Sequence, residues 1–276
     1  MCNNSMTITY EDVVKAQQTQ NKVIRKTNLE FSETFSKICG ANVYLKNEYE
    51  QKTGSFKIRG AYYKIKSLTD DEKNKGVVAA SAGNHSQGVA FASHIENIPC
   101  TIVMPKNASP AKVAATRGYG AKVVLEGITY DESWAYAKKI SEESDSTIIH
   151  AFDDSHVIAG QGVIGLEIIE QLPDVDEIYV PIGGGGLAAG IILAVKEKHP
   201  HVKIIGVESN AYPAMKKSLE NNSLETVNGA TTIADGISVK TPGKLTFEIV
   251  KQKIDKIVTV DDSEIINAMF LLMERS

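Results

Sequence analysis

Cysteine is scarce in this chain of 276 residues: three, at Cys2, Cys39 and Cys100, with no C-x-x-C pair. An odd, scattered set excludes a disulfide scaffold or a cysteine zinc framework and reads as reduced thiols in a cytoplasmic protein. Proline is sparse at eight residues, and no Pro/Ser-rich linker marks a domain boundary. An excess of positive charge is missing too. Thirty Lys and Arg against 34 Asp and Glu leave a net charge of −4, which excludes a polybasic nucleic-acid binder. With 42% hydrophobic and 23% charged residues, the chain is not a disordered one. The N-terminus lacks a basic segment ahead of an apolar core, so no signal peptide is expected. Residues 178–195 carry no charge, which nominally reaches membrane-spanning length, but Pro181 and the run Gly183-Gly184-Gly185-Gly186 interrupt them. They read as a buried strand, a glycine loop and a helix, so no membrane partner is expected.

What is present is an alternation. Short β-branched runs at 43–45, 77–80, 100–104, 122–125, 148–151, 177–182, 203–207 and 256–260 read as strands. Amphipathic stretches at 56–66, 84–96, 130–143, 156–172 and 187–198 read as helices between them. Such alternation predicts an α/β fold, parallel sheets flanked by helices. The length suits one large domain or two smaller ones. A last helix begins at Asp261-Asp262-Ser263, with Ile265, Ile266, Met269, Phe270 and Met273 at helical spacing. It reaches Glu274-Arg275-Ser276 without a glycine cap or a following strand, and the expectation is a chain cut short.

Three segments could carry chemistry. In Thr53-Gly54-Ser55-Phe56-Lys57-Ile58-Arg59-Gly60, Ser55 reads as an N-cap that puts Lys57 in the first helical turn. The helix dipole disfavours a positive charge there and lowers the amine's pKa, one route to a Schiff-base nucleophile. A lone lysine is ordinarily a solvated surface residue, so this phrase alone decides nothing. The second segment, Ser81-Ala82-Gly83-Asn84-His85-Ser86-Gln87-Gly88, follows an apolar run and leads into a helix. Its free N–H groups suit a carboxylate, and the Asn84 amide suits a phenolate or carbonyl oxygen. Plain turn chemistry would use the same residues. The third, Gly183 to Gly186 followed by Leu187, brings backbone donors to a helix N-terminus, as a phosphate requires. It is neither G-x-G-x-x-G nor a Walker loop, which counts against dinucleotides and nucleoside triphosphates. Amine, carboxylate turn and phosphate cradle, in this order, are the parts of a pyridoxal phosphate site.

These segments resemble the threonine dehydratase (threonine ammonia-lyase) branch, short catabolic type, of the fold-type II pyridoxal phosphate enzymes. The resemblance continues through Val113-Ala114-Ala115-Thr116, Ile158-Ala159-Gly160-Gln161-Gly162 and Ala234-Asp235-Gly236, and runs from Thr9 to Arg275. It implies a two-domain, tryptophan synthase β-like fold with the cofactor in the cleft. Residues 50–150 would form the smaller, substrate-binding domain, and 1–49 with 151–276 the larger, phosphate-binding one. Lys57 would hold pyridoxal 5'-phosphate covalently and shuttle protons. Phe56 would pack on the cofactor ring, Asn84 would bond its 3′ oxygen, and Gly183, Gly184, Gly185, Gly186 and Leu187 would hold its phosphate. Ser81, Gly83, Asn84 and His85 would line the substrate carboxylate. The implied reaction converts L-threonine to 2-oxobutanoate and ammonia, and L-serine to pyruvate.

Departures from the family pattern sharpen the reading. Serine racemases of this family carry Ser-Ser-Gly-Asn-His, the second serine serving as acid and base opposite the lysine; Ala82 stands there in this chain. Elimination needs one face served and racemisation two. The alternatives are a serine racemase or a truncated, non-catalytic relative, since the family's Ser/Gly-rich loop partnering the pyridine nitrogen would follow Ser276. The relatives' divalent metal site would begin at Glu208, but residues 209–213 supply no other clear carboxylate and no metal is assigned. The resemblance further implies a homodimer or homotetramer, with a nucleotide mono- or diphosphate effector near Lys52, Thr53, Gly118 and Tyr119.

Overall fold

A computed structural model describes residues 8–275, so Cys2 lies outside the described residues. The elements run α1 (Tyr10–Gln20), β1 (Leu29–Phe31), α2 (Glu33–Cys39), β2 (Tyr44–Lys46), α3 (Lys57–Lys66), α4 (Asp70–Lys75) and β3 (Val77–Ala80). They continue with α5 (Asn84–Ile95), β4 (Cys100–Met104), α6 (Pro110–Gly118), β5 (Lys122–Leu125), α7 (Tyr130–Ser144), β6 (Thr147–Ile148) and α8 (Ser155–Gln171). Last come β7 (Glu177–Pro181), α9 (Gly186–Lys196), β8 (Lys203–Ser209), α10 (Ala214–Glu220), α11 (Lys244–Lys253), β9 (Lys256–Val260) and α12 (Asp262–Arg275). No helix among the described residues is long and apolar enough to cross a membrane.

The described chain falls into two compact units: residues up to Arg25 with Tyr49–Gln161, and Lys26–Glu48 with the residues from Gly162 on. The first holds a parallel sheet ordered β5-β4-β3-β6. Every residue of its central strand β3 is buried, which explains the unbroken Val-Val-Ala-Ala run. Ile58, Ile65, Ile102 and Met104 fill its core without exposure. Capping boxes start its outer helices, Thr69 with Glu72 on α4 and Thr129 with Glu132 on α7. The second unit holds the parallel sheet β7-β8-β9 and the antiparallel pair β1-β2. There the half-buried Lys46 donates to Glu167 (2.7 Å), Gln171 (2.8 Å) and the Thr27 carbonyl (2.8 Å), which ties the β-pair to α8.

The division differs from the expected one chiefly at two stretches, besides a one-residue shift at Tyr49. Helix α1 belongs with the lysine-bearing unit rather than with residues 26–48, and so does the stretch 151–161. Val13 and Ala16 bury one face of α1, and Gln20 on that face bonds into α3 and α8. No sequence feature near residue 25 announces the boundary, because it falls in an ordinary polar loop.

Candidate active site

In the first unit, Lys57 is the first residue of α3. The position agrees with the sequence reading, but the cap does not. Phe56, not Ser55, occupies the N-cap, and the Ser55 hydroxyl is buried without a partner. The Lys57 amine donates to the Ala151 carbonyl at 2.9 Å and lies 5.3 Å from the Phe56 ring centroid. Burial pulls its pKa from the ordinary lysine value down to about 8. Desolvation is the cause, because an ammonium taken out of water loses hydration that one carbonyl only partly replaces.

The turn after β3 is arranged more tightly than its composition indicates. The Ser81 N–H is spent on the Val103 carbonyl (3.1 Å), and the Gly83 N–H on the Ser81 hydroxyl (3.2 Å). Asn84 opens α5 and is exposed, while Gly83, the N-cap, has no side chain to cap it. The His85 ring is buried, with Nε2 2.9 Å from the Ile149 carbonyl. A carbonyl only accepts, so Nε2 carries the proton. Burial, helped by the Lys57 charge, pushes His85 down to about 3, which leaves Nδ1 a bare acceptor without a partner. A bare acceptor repels a carboxylate. Any contribution of His85 to carboxylate binding therefore runs through its backbone N–H.

In the second unit, the glycine loop links β7 to α9. Gly185 is the N-cap in the left-handed region at φ +93°, a conformation a side chain strains. A Cβ there would lie 2.7 Å from Met215 Cε and 2.9 Å from Thr246 Oγ1, and one on Gly183 would lie 3.0 Å from Ile237 Cα. The Gly184 carbonyl accepts from Thr246 Oγ1 (2.6 Å) and from Gly243 N (3.1 Å). The loop is thus gripped by its carbonyl, and the first N–H groups of α9 have no intrahelical acceptor. These parts fit pyridoxal phosphate: an amine of lowered basicity for its aldehyde, and a glycine loop at a helix N-terminus, packed too closely at Gly183 and Gly185 for a side chain, for its phosphate.

Glu208, the penultimate residue of β8, is fully buried and accepts from the N–H groups of Met215 (2.8 Å) and Lys216 (2.9 Å), capping α10 from another element. Burial raises its pKa to about 7. Both its oxygens are used, and no group of three or more His, Cys, Asp or Glu that could hold a metal occurs among the described residues. The effector candidates share one patch of the first unit. Lys52 Nζ lies 5.9 Å from the Phe91 ring centroid, and Tyr119 packs edge-on against the same ring at 5.4 Å. Thr53 is buried with its hydroxyl unpartnered, and Gly118, the last residue of α6, is exposed beside Tyr119. Sequence reasoning missed Ala151, Thr246, Met215 and Gln20. Only Gln20 left a signal, a glutamine on the apolar stripe of Val13 and Ala16.

A family model described as "Pyridoxal-phosphate dependent enzyme" matches residues 21–276. The L-threonine ammonia-lyase of Thermotoga maritima is 51% identical over 269 residues, covering 98% of this chain and 67% of that relative. The catabolic L-threonine dehydratase TdcB of Escherichia coli K12 is 46% identical over 269 residues, covering 98% of this chain and 82% of its own length. Among solved structures, maize serine racemase superposes with a TM-score of 0.94 at 34% identity, covering 97% of this chain and 81% of that one. The chain spans about two thirds of the Thermotoga relative's length. With the family match running over Lys57, the 81–88 turn and the glycine loop, the chain belongs to the pyridoxal-phosphate dependent enzymes of fold type II.

Proposed function

We propose that the chain is a threonine/serine ammonia-lyase, which eliminates water from L-threonine to give 2-oxobutanoate and ammonia, and from L-serine to give pyruvate. The observation that carries this reading is a lysine amine of lowered basicity at the start of α3, in a chain 51% identical to an L-threonine ammonia-lyase. When bound, the cofactor supplies an electron sink for negative charge at the substrate α-carbon. Gly183 to Gly186 and Leu187 would hold its phosphate through backbone N–H groups, Asn84 would bond its ring oxygen, and Phe56 would flank its ring. Lys57 Nζ takes the α-proton, oriented by the Ala151 carbonyl. The N–H groups of Ser81 and Gly83 being spent within the turn, those of Ala82, Asn84 and His85 are left to receive the substrate carboxylate.

The likeness to maize serine racemase raises a second reading, racemisation of serine. Ala82 argues against it, because a methyl group carries no proton to the opposite face. The test is the product ratio from L-serine. Pyruvate outpacing D-serine supports the lyase, and the reverse ratio overturns it. We further assign the nucleotide effector to Lys52, Thr53, Gly118 and Tyr119, the working unit to a homodimer or homotetramer, and the compartment to the cytoplasm, where the scattered free thiols stay reduced.

A further inference from the structure

Helices α3 and α8 meet backbone to backbone one turn from Lys57. A Cβ on Gly160 would lie 2.7 Å from Gly60 Cα and 2.8 Å from the Arg59 carbonyl, and one on Gly60 would lie 2.7 Å from the Val157 carbonyl. Gln161 Oε1 accepts from Gly60 N at 3.2 Å. Small residues permit such an approach without holding it. Across the seam lies Gln20, the last residue of α1, only 2% exposed. Its Nε2 donates to the Arg59 carbonyl at 3.0 Å and to the Gly160 carbonyl at 2.9 Å. That settles the orientation of the amide, since an oxygen in the same place would face two carbonyl oxygens. Its own Oε1 is buried with no partner. A methionine would fill this space with no orphaned oxygen, so the two donors are what the position uses.

The seam governs how the lysine is presented. Lys57 lies three residues before Gly60 on one side, and Ala151, which accepts from the lysine amine, precedes α8 on the other. The spacing of the two helices sets how the amine meets that carbonyl and how much water reaches it. We propose that Gln20 is a positioning residue of the reaction: by bridging the Arg59 and Gly160 carbonyls it holds Lys57 Nζ against Ala151 and limits the water that reaches the amine. The inference rests on Lys57 as the cofactor-bearing lysine. The titratable groups that feel the Lys57 charge are His85 on α5 and His150 just ahead of Ala151, and burial lowers both.

The test compares Gln20→Met, which removes the donors at nearly constant volume, with Val13→Ala, which loosens the same helix and leaves the bridge. Cofactor-free protein is mixed with pyridoxal phosphate across a pH series. The lysine adduct is trapped with borohydride, located by mass spectrometry and timed, and kcat and KM for threonine are measured separately. Gln20→Met should move the midpoint of adduct formation up by about one pH unit. It should lower kcat about tenfold with KM within about twofold, as a small misplacement of a reacting group does. Val13→Ala should lower Tm and leave midpoint and kcat in place. Gln20→Asn, too short to reach both carbonyls, should fall between and serves if the methionine variant does not fold. Wild-type midpoint and kcat in the Gln20 variants, or equal shifts in Val13→Ala, would overturn the role of Gln20 alone. An absence of any Lys57 adduct in the wild type would overturn this inference and the lyase reading together.

Discussion

Lys57 shows how one residue's surroundings set its chemistry. With its pKa near 8 instead of 10.5, about one amine in ten is neutral at pH 7, against fewer than one in a thousand for a solvated lysine. Burial disfavours the charged form, so the neutral, reactive fraction grows as pH rises. Covalent uptake of pyridoxal phosphate by the cofactor-free protein should climb between pH 7 and 9 with its midpoint near 8; a midpoint above 10 would mean a wet lysine. Lys57→Ala should abolish the borohydride-stable adduct and lower threonine turnover by at least about 10²-fold. An adduct surviving in that variant would move the assignment to another lysine. Ala82 bears on reaction type at the same scale. Ala82→Ser adds a hydroxyl where the racemase-like pattern has one, and should raise D-serine formation from L-serine by about 10²-fold. Chiral chromatography of the reaction mixture would read this, and an unchanged D-serine yield would remove Ala82 as the discriminator.

At the scale of elements, the glycine loop is the sharpest case. Four glycines in a row predict a close-approach turn, but their reasons differ. Gly185 needs its positive φ and the space taken by Met215 and Thr246, whereas Gly183 needs room against Ile237. Gly185→Ala meets both obstacles and should cost about 1–3 kcal/mol at that backbone conformation. Fluorescence titration should then show pyridoxal phosphate bound about ten- to a hundredfold more weakly. Wild-type affinity in this variant would show that the phosphate sits elsewhere. Several elements were legible to the residue. Strands β3, β4, β5 and β9 run as their β-branched patterns predict, and α3, α5 and α7 start within one residue of expectation. The cap of α3 was not legible, because Ser55 has the right chemistry and position while its hydroxyl faces a buried site without the expected bond.

At the scale of the whole molecule, a nucleotide effector is the property with most left to test. AMP, ADP or CMP should change KM for threonine in the wild type, and Lys52→Ala should weaken that response, with kinetics and sedimentation as the readouts. Unchanged kinetics on adding the nucleotides would remove the assignment. The α/β class and the elements that carry Lys57, the 81–88 turn and the glycine loop were readable along the chain, since hydrophobic periodicity and glycine runs are local properties that burial on a sheet or a close backbone approach imposes on neighbouring residues. The grouping of α1 with the lysine-bearing unit, the Lys57 amine's contact with the Ala151 carbonyl, the proton on His85 Nε2 and the two carbonyls spanned by Gln20 were not. Each depends on which atoms from distant parts of the chain, such as Gln20 with Gly160 or His85 with Ile149, end up within about 3 Å of one another, and only tertiary packing decides that distance.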